Sequence, residues 1–581
     1  MGQNLRRAKT ETRSGLSISE ECRVRNEELW AATGNREQGI GNSSSSSTNL
    51  KSIPYSLLPT PFILLIAIFI VTRLVLNIFT PLMDPSEARY AVFAKNMTLS
   101  GNWWQPTYNY EGVETVFVGK PPLAFQMSMA CCKALGISKF AARLPAFFSS
   151  LLILWFVWRF VKKWRDAQTA ACAVLLTCCS FLFYMYAGQC MTDLILTATI
   201  VGAIFSYMGF ERELGNREWG IGNSSSPSAN LNTTVYCLLP SIYSVLFFVF
   251  IALGVLVKGP VAIVMSGLPV FFYVLINKRW KNLKYHAWVL GTIAFLAIVV
   301  PYYWIVSVKH PDFLQYFIIE ENLNRFLFKG SASRFGTARE SFYGVSFFWF
   351  ILLNLPTVFL MQLLPSKNRK RMYSWDMFKD PLTGMSALTC ISLTLFWALT
   401  SRVLITYLLP TIPFFAVFLA VRFRDSGLLG QPGFSKTLNA FLTSWLIALP
   451  ILFAGIAFTA VYTTAEMASP IIADAVKEIG TDAEFSKRNY YFAMTTPHFA
   501  EYYYKSKTQF HVPESLESSL NNSRNDWLFV TQSQEKNFGK PIDRKLVFQK
   551  GQWNLYAPFK ADIEQKQSDD VENPSTDVSD N

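Results

Sequence analysis

Asp84-Pro85-Ser86-Glu87-Ala88-Arg89-Tyr90 sets two carboxylates, a guanidinium and a phenol directly after an apolar run at about 58–79 that is long enough to cross a bilayer. Further on, Gly119-Lys120-Pro121-Pro122-Leu123 puts an ammonium before two prolines that stiffen the backbone and end any preceding helix. A carboxylate at a membrane boundary can take the proton of a hydroxyl or amine as that group attacks. A cation fixed nearby can grip a phosphate and stabilise the charge that develops as a bond to it breaks. Acids, cations and membrane together point to a charged lipid substrate.

Each residue also has a plainer explanation. Asp84 and Glu87 are three apart, but Pro85 and Ser86 favour a helix start there, with Asp84 or Ser86 as cap. Capping accounts for one acid, not both. Asp193, in Gln189-Cys190-Met191-Thr192-Asp193, could orient an acceptor, hold a cation or cap the next helix. Asp84, Glu87 and Asp193 form the candidate catalytic set, with either of the first two as base. Arg89, Lys120, Arg143, Lys258, Arg325 and Arg402 are the available cations, and Tyr90 and Tyr407 can donate phenolic hydrogen bonds. Glu321, beside Glu320, either joins the binding set or forms an ion-pair cluster with Arg325 in a polar loop.

The elements that must position these residues are membrane helices. With 51% hydrophobic, 15% aromatic and 16% charged residues, the 581-residue chain reads as a mainly α, polytopic transmembrane bundle. The net charge of +13 sits in short clusters between apolar runs, as cytoplasmic loops require, which argues against nucleic acid. Spans are expected at 58–80, 143–162, 166–187, 192–210, 235–256, 260–276, 286–307, 344–364, 383–399, 403–421 and 438–463, roughly eleven crossings. An N-terminus inside puts the basic clusters 159–165, 277–284, 366–379 and 422–424 in the cytoplasm and the candidate site residues at the outer boundary. Residues 122–136 are too short for a crossing and read as a surface or re-entrant helix in the first external loop, 81–142.

Residues 1–53 are polar and Ser-rich, without the pattern of a cleavable signal peptide, and read as a disordered cytoplasmic tail before a transmembrane domain at 54–463. Gly34–Ser47 recurs almost letter for letter at Gly215–Ser228 without an apolar pattern, so 211–232 reads as a low-complexity insertion. Strand-like runs at 490–494, 526–531, 545–548 and 553–556, around a helix at 497–505, indicate a small extracytoplasmic α/β domain at 464–560. An acidic tail follows at 561–581. Eight of the nine cysteines lie in or beside apolar segments, and the four histidines stand in no zinc-binding pattern. No cofactor is expected, and a carboxylate-bound divalent cation has no support.

These residues resemble a family. DPSEARYA (Asp84–Ala91), KPPL (Lys120–Leu123), FAARLPA (Phe140–Ala146), Asp193, KGP (Lys258–Pro260), the Glu-rich stretch ending Arg325-Phe326 and YLLP (Tyr407–Pro410) occur in the order seen in GT-C membrane glycosyltransferases. The group is that of the aminoarabinose transferases and dolichyl-phosphate-mannose:protein mannosyltransferases, and the likeness covers roughly Leu58–Tyr462. It implies a GT-C bundle of about 11–13 spans in the plasma (inner) membrane. It also implies a polyprenyl-phosphate sugar donor and inverting transfer at the outer face to a lipid, protein or polysaccharide acceptor. The first-loop acid would be the base and Lys120 would contact the donor phosphate. Pro85 and Ser86 separate acids that are often adjacent in relatives, Gly119 replaces a glutamate found in some, and Arg402 stands where a lysine is common. The reading from another class is a secondary transporter or flippase, but no internal symmetry of spans is visible.

Overall fold

The computed structural model describes residues 60–83, 86–110, 113–223, 230–327, 342–354, 375–400, 403–463, 490–492, 527–532, 535–536, 541–550 and 553–557. The expected terminal tails and the helix expected at 497–505 lie outside them.

Every expected span has a helix at its place. The first, α1 (Thr60–Phe79), is followed by α2 (Ser86–Ser100), a hairpin of β1 (Thr107–Tyr110) and β2 (Val113–Val116), and α3 (Leu123–Leu135). Then come α4 (Lys139–Trp164), α5 (Ala167–Cys178), α6 (Phe181–Tyr186), α7 (Thr192–Asn223), α8 (Asn230–Lys258), α9 (Val261–Asn277) and α10 (Trp288–Lys309). The series closes with α11 (Val345–Leu353), α12 (Pro381–Ala398), α13 (Thr411–Asp425) and α14 (Pro432–Thr463). Among the described residues, seven of these helices are long and apolar enough to cross a membrane. The span expected at 166–187 is broken in two, and Trp445 donates its indole N–H to the Cys179 carbonyl exposed at the break.

Local chemistry sets the helix boundaries. Ser138 caps α4 by accepting from Ala141 N, Asp166 caps α5 through Thr169 N, and Asp380 caps α12 through Thr383 N with Pro381 behind it. At one end of the bundle the same carboxylates join distant helices, Arg165 meeting Asp380 at 2.6 Å and Arg424 meeting Asp166 at 2.6 Å.

The central helix is α7, buried by its neighbours over Thr192–Glu211, whereas in α1, α10 and α14 fewer than a third of the residues in the apolar stretch are buried, as lipid-facing helices require. Close packing of α7 on α8 depends on small residues. A Cβ on Gly202 would lie 2.7 Å from the Phe250 ring.

At the opposite end, α2, the hairpin and α3 form a cap whose apolar cluster includes Tyr90, Phe93, Phe117 and Phe125. Phe529, Phe548 and Leu555 of the C-terminal sheet belong to the same cluster. That sheet has the order β3 (Tyr490–Phe492), β4 (Trp527–Thr531), β6 (Trp553–Tyr556), β5 (Leu546–Lys550), with β3 parallel to β4 and the other pairs antiparallel.

Two expectations need correction. The expected insertion at 211–232 is not separate from the bundle at its start, because α7 runs into it as far as Asn223 and Glu211, Glu213 and Leu214 are buried. Tyr207 and Asn282 donate hydrogen bonds to Glu211, and Lys163 pairs with Glu213. The expected polar loop around Glu320 and Glu321 is a π-helix, Gln315–Asn324.

Candidate functional site

The cap holds half of the site. Tyr90, on the first turns of α2, is buried against Phe93 and Phe125. Its hydroxyl accepts a 2.6 Å hydrogen bond from Lys120 Nζ, delivered by the proline-stiffened stretch before α3. Arg89 lies 5.6 Å from the Tyr90 ring and 5.9 Å from Phe117. Burial works against both charges. Burial would raise the Tyr90 phenol, but Lys120 and Arg89 outweigh it and hold the phenol below its ordinary value. Burial would likewise lower Lys120, but Tyr90 and Asp193 hold its ammonium above the ordinary value, so it keeps its charge at neutral pH.

The bundle supplies the other half. Asp193, in the first turn of α7, pairs with Lys258 at 2.7 Å, the two side chains being 5% and 12% exposed. Lys258 ends α8 at a glycine turn, and its Nζ stands 4.3 Å from the centre of the Tyr407 ring, which leans on Trp397. Gly259 has φ +88°, and a Cβ there would lie 2.6 Å from Phe317 Cζ, so the π-helix rests directly on this turn. Asp193 and Tyr407 both act electrostatically on Lys120, which joins the two halves. The result is one polar region with two ammonium groups, a carboxylate and two phenols at the cap end of the bundle. Such a set can hold an anionic group and orient a hydroxyl beside it.

Glu87 and Arg143 do not belong to that region, contrary to expectation. They form a buried pair, Arg143 Nε to Glu87 Oε1 at 2.7 Å, each 2% exposed. Glu87 Oε1 also accepts from Cys190 N at 3.0 Å, and Oε2 from Met83 N at 2.9 Å and Arg143 Nη2 at 3.1 Å. A carboxylate with both oxygens so engaged has its acceptor positions taken up within the protein. Arg143 donates further to the carbonyls of Asn77, Thr80 and Pro81. The pair is a clamp joining the end of α1, the start of α2, α4 and the turn leading to Asp193.

Glu321 receives a 3.4 Å hydrogen bond from Tyr316 within the π-helix. Arg325 begins the single turn Arg325–Leu327 that follows. Asp84 and Arg402 lie outside the described residues. Among those described, no three His, Cys, Asp or Glu side chains gather as metal ligands. Sequence reasoning missed Trp397 and Phe317, which carry no charge, and Arg73, whose charge inside an apolar run was a readable signal.

Comparison with known proteins adds the following. Residues 119–222 match the family described as dolichyl-phosphate-mannose-protein mannosyltransferase. An undecaprenyl phosphate-alpha-4-amino-4-deoxy-L-arabinose arabinosyl transferase of Proteus mirabilis is 26% identical over 274 residues, covering 46% of this chain and 45% of the relative. Its counterpart in Aeromonas hydrophila is 25% identical over 356 residues, covering 59% and 56%. The chain thus spans about half the length of the curated relatives it matches. The crystal structure of ArnT from Cupriavidus metallidurans bound to undecaprenyl phosphate superposes with a TM-score of 0.67 at 16% identity, covering 85% of this chain and 97% of that one.

Proposed function

We propose that this chain, a GT-C membrane protein related to the aminoarabinose transferases, is a glycosyltransferase that moves a sugar from a polyprenyl-phosphate donor to an acceptor hydroxyl or amine. One observation carries the reading: the Lys120–Tyr90 and Lys258–Asp193 pairs, at 2.6 and 2.7 Å, come from distant parts of the chain to a single polar region at the cap end. The kinship supports the donor class, since its relatives are named for undecaprenyl-phosphate sugars.

In this proposal Lys120 grips the donor phosphate, with Arg89 and Arg402 as further cations. The acceptor attacks the anomeric carbon from the face opposite the phosphate, the carbon–oxygen bond to phosphate breaks, and polyprenyl phosphate leaves with its charge held by Lys120. The acceptor's proton passes to a carboxylate. With Glu87 engaged in the clamp, that role falls to Asp84, which directly follows the clamped Met83. Asp193, neutralised by Lys258, positions rather than reacts. The acceptor is a lipid, protein or polysaccharide at the outer face of the plasma (inner) membrane, with the N-terminus cytoplasmic. The ion pairs of Arg165 and Arg424 at the far end support that orientation.

The test is transfer by the purified full chain from undecaprenyl-phosphate 4-amino-4-deoxyarabinose, radiolabelled in the sugar, to total membrane lipid. Lys120→Ala and Asp84→Asn should each lower the rate by about 100-fold or more. Wild-type rates in both variants would overturn the site. Absence of transfer from a panel of polyprenyl-phosphate sugars would overturn the activity.

A further inference from the structure

Between α9 and α10 the chain reads Lys278-Arg279-Trp280-Lys281-Asn282-Leu283-Lys284-Tyr285-His286, and no acid occurs between Lys258 and Asp312. Because α9 starts beside the Lys258 turn, this segment lies at the end of the bundle opposite the cap. It is a 3-10 helix, Arg279–Tyr285, entered through Lys278 in the left-handed region at φ 53°. The bundle fixes its shape. Asn282 is buried and donates to Glu211 at 2.9 Å. His286, also buried, stacks on Tyr207, and its Nδ1 lies 2.5 Å from Ser244 Oγ, which accepts from Ala287 N at 2.8 Å. At the α9 side Asn277 donates to the Phe378 carbonyl at 2.9 Å.

With Asn282 and His286 held inward, the cations are left outside. Lys278, Arg279, Lys281 and Lys284 are all exposed, and among the described residues none of them forms a salt bridge. A basic loop alone would answer the positive-inside rule, which asks only for charge. Two further features go beyond it. Trp280, Tyr285 and Trp288 are each about half exposed among these cations, the placement that amphipathic rings take at headgroup level. In addition, α9 and α10 both pack on α8 but scarcely on each other, and they turn Phe271 and Leu275 of α9 and Val289 and Ile293 of α10 outward. Apolar surface for acyl chains therefore adjoins a folded ledge of four unpaired cations.

We propose that this ledge is a docking site for anionic phospholipid, which places its phosphodiester headgroup on Lys278, Lys281 and Lys284 and its acyl chains against α9 and α10. Lysine stems can lie along apolar surface while the ammonium reaches the headgroup, and the field of an anionic leaflet adds to each contact. A zwitterionic headgroup carries the same phosphate with its own cation, so the ledge discriminates against it. The inference does not rest on the sugar-transfer reading.

The test is equilibrium binding of dioctanoyl phosphatidylglycerol, and separately of dioctanoyl phosphatidylcholine, to the full chain in uncharged micelles. Each cation near an anionic surface contributes roughly a factor of five. Saturable phosphatidylglycerol binding is expected, about tenfold or more tighter than that of phosphatidylcholine, and weakened about tenfold or more by Lys278→Asn, Lys281→Gln and Lys284→Gln combined. Asparagine serves at 278 because it tolerates the left-handed backbone there. Arg159→Gln with Lys162→Gln, which removes two exposed cations of α4 at the same end, should weaken binding less than the triple variant does. The proposal falls if phosphatidylglycerol does not bind saturably, if its preference over phosphatidylcholine or its loss in the triple variant is below about tenfold, or if the α4 pair loses as much as the triple. Glycerol phosphate binding as tightly as the lipid would overturn the lipid assignment and leave a free-phosphate site.

Discussion

Glu87→Gln separates a structural carboxylate from a reacting one. The substitution keeps the shape of the side chain but removes the charge that offsets Arg143, with both groups 2% exposed. Whichever way the new amide turns, its NH2 faces a backbone N–H, either that of Met83 or that of Cys190, both of which now donate to Glu87. Removing one partner of a buried ion pair costs about 3–5 kcal/mol. About 3 kcal/mol is roughly two decades in an equilibrium constant. Amide exchange in the peptides around Met83 and Cys190 should therefore accelerate by about two orders of magnitude if they exchange through local opening of the clamp. Adding Arg143→Met removes the stranded charge but leaves the carbonyls of Asn77, Thr80 and Pro81 without their donor. The double variant should therefore cost less than the sum of the singles, by roughly 2–3 kcal/mol. If Glu87→Gln left exchange unchanged and abolished sugar transfer, Glu87 would be the reacting acid and the clamp argument would fail.

Gly259→Ala should cost about 1–2 kcal/mol, because the residue sits at φ +88° and the added methyl meets Phe317 at 2.6 Å. Thermal unfolding should show the loss, with partial recovery on adding Phe317→Leu; an unchanged midpoint would mean the π-helix does not rest on this turn. At the other end of the bundle, burial opposes ionisation of Asp166, yet the Thr169 N–H and Arg424 hold its carboxyl below the ordinary 3.8. A depressed carboxylate stabilises the fold above its unfolded value and loses that contribution as pH falls through the depressed one, so the loss should appear below about pH 4. Asp166→Asn should flatten the acid limb of a melting-temperature profile, and an unaltered limb would refute the assignment.

The positions of the spanning helices were legible because those are long apolar runs, and the stretch expected to be too short for a crossing is a helix of 13 residues, Leu123–Leu135. The strands at 527–531 and 553–556 showed through their β-branched and aromatic content. The hairpin at 107–116 was missed, although Glu111-Gly112 between two short runs was a turn signal. The π-helix left no trace in apolar spacing, because its register is a matter of backbone hydrogen bonding. Among the site residues, Tyr90, Lys120, Asp193, Lys258 and Tyr407 could be named from their charge or phenol at a boundary, and they stand together in space. Glu87 could not be told from Asp84, because the partner that engages it lies 56 residues further along the chain. Position relative to the membrane says which charges need a partner, but not which of them already have one.

Asp166 and Asp380 each start a helix and also tie it to an arginine more than two hundred residues away in the chain, Asp166 to Arg424 and Asp380 to Arg165. Rods fastened together at one tip can diverge only at the other. If the proposed function holds, the motion that admits a long-chain donor is expected as a fanning of the cap-end tips about this stationary far end. A crosslink between α1 and α14 near the cap should then arrest turnover, whereas a crosslink between α4 and α12 beside Arg165 and Asp380 should leave it running.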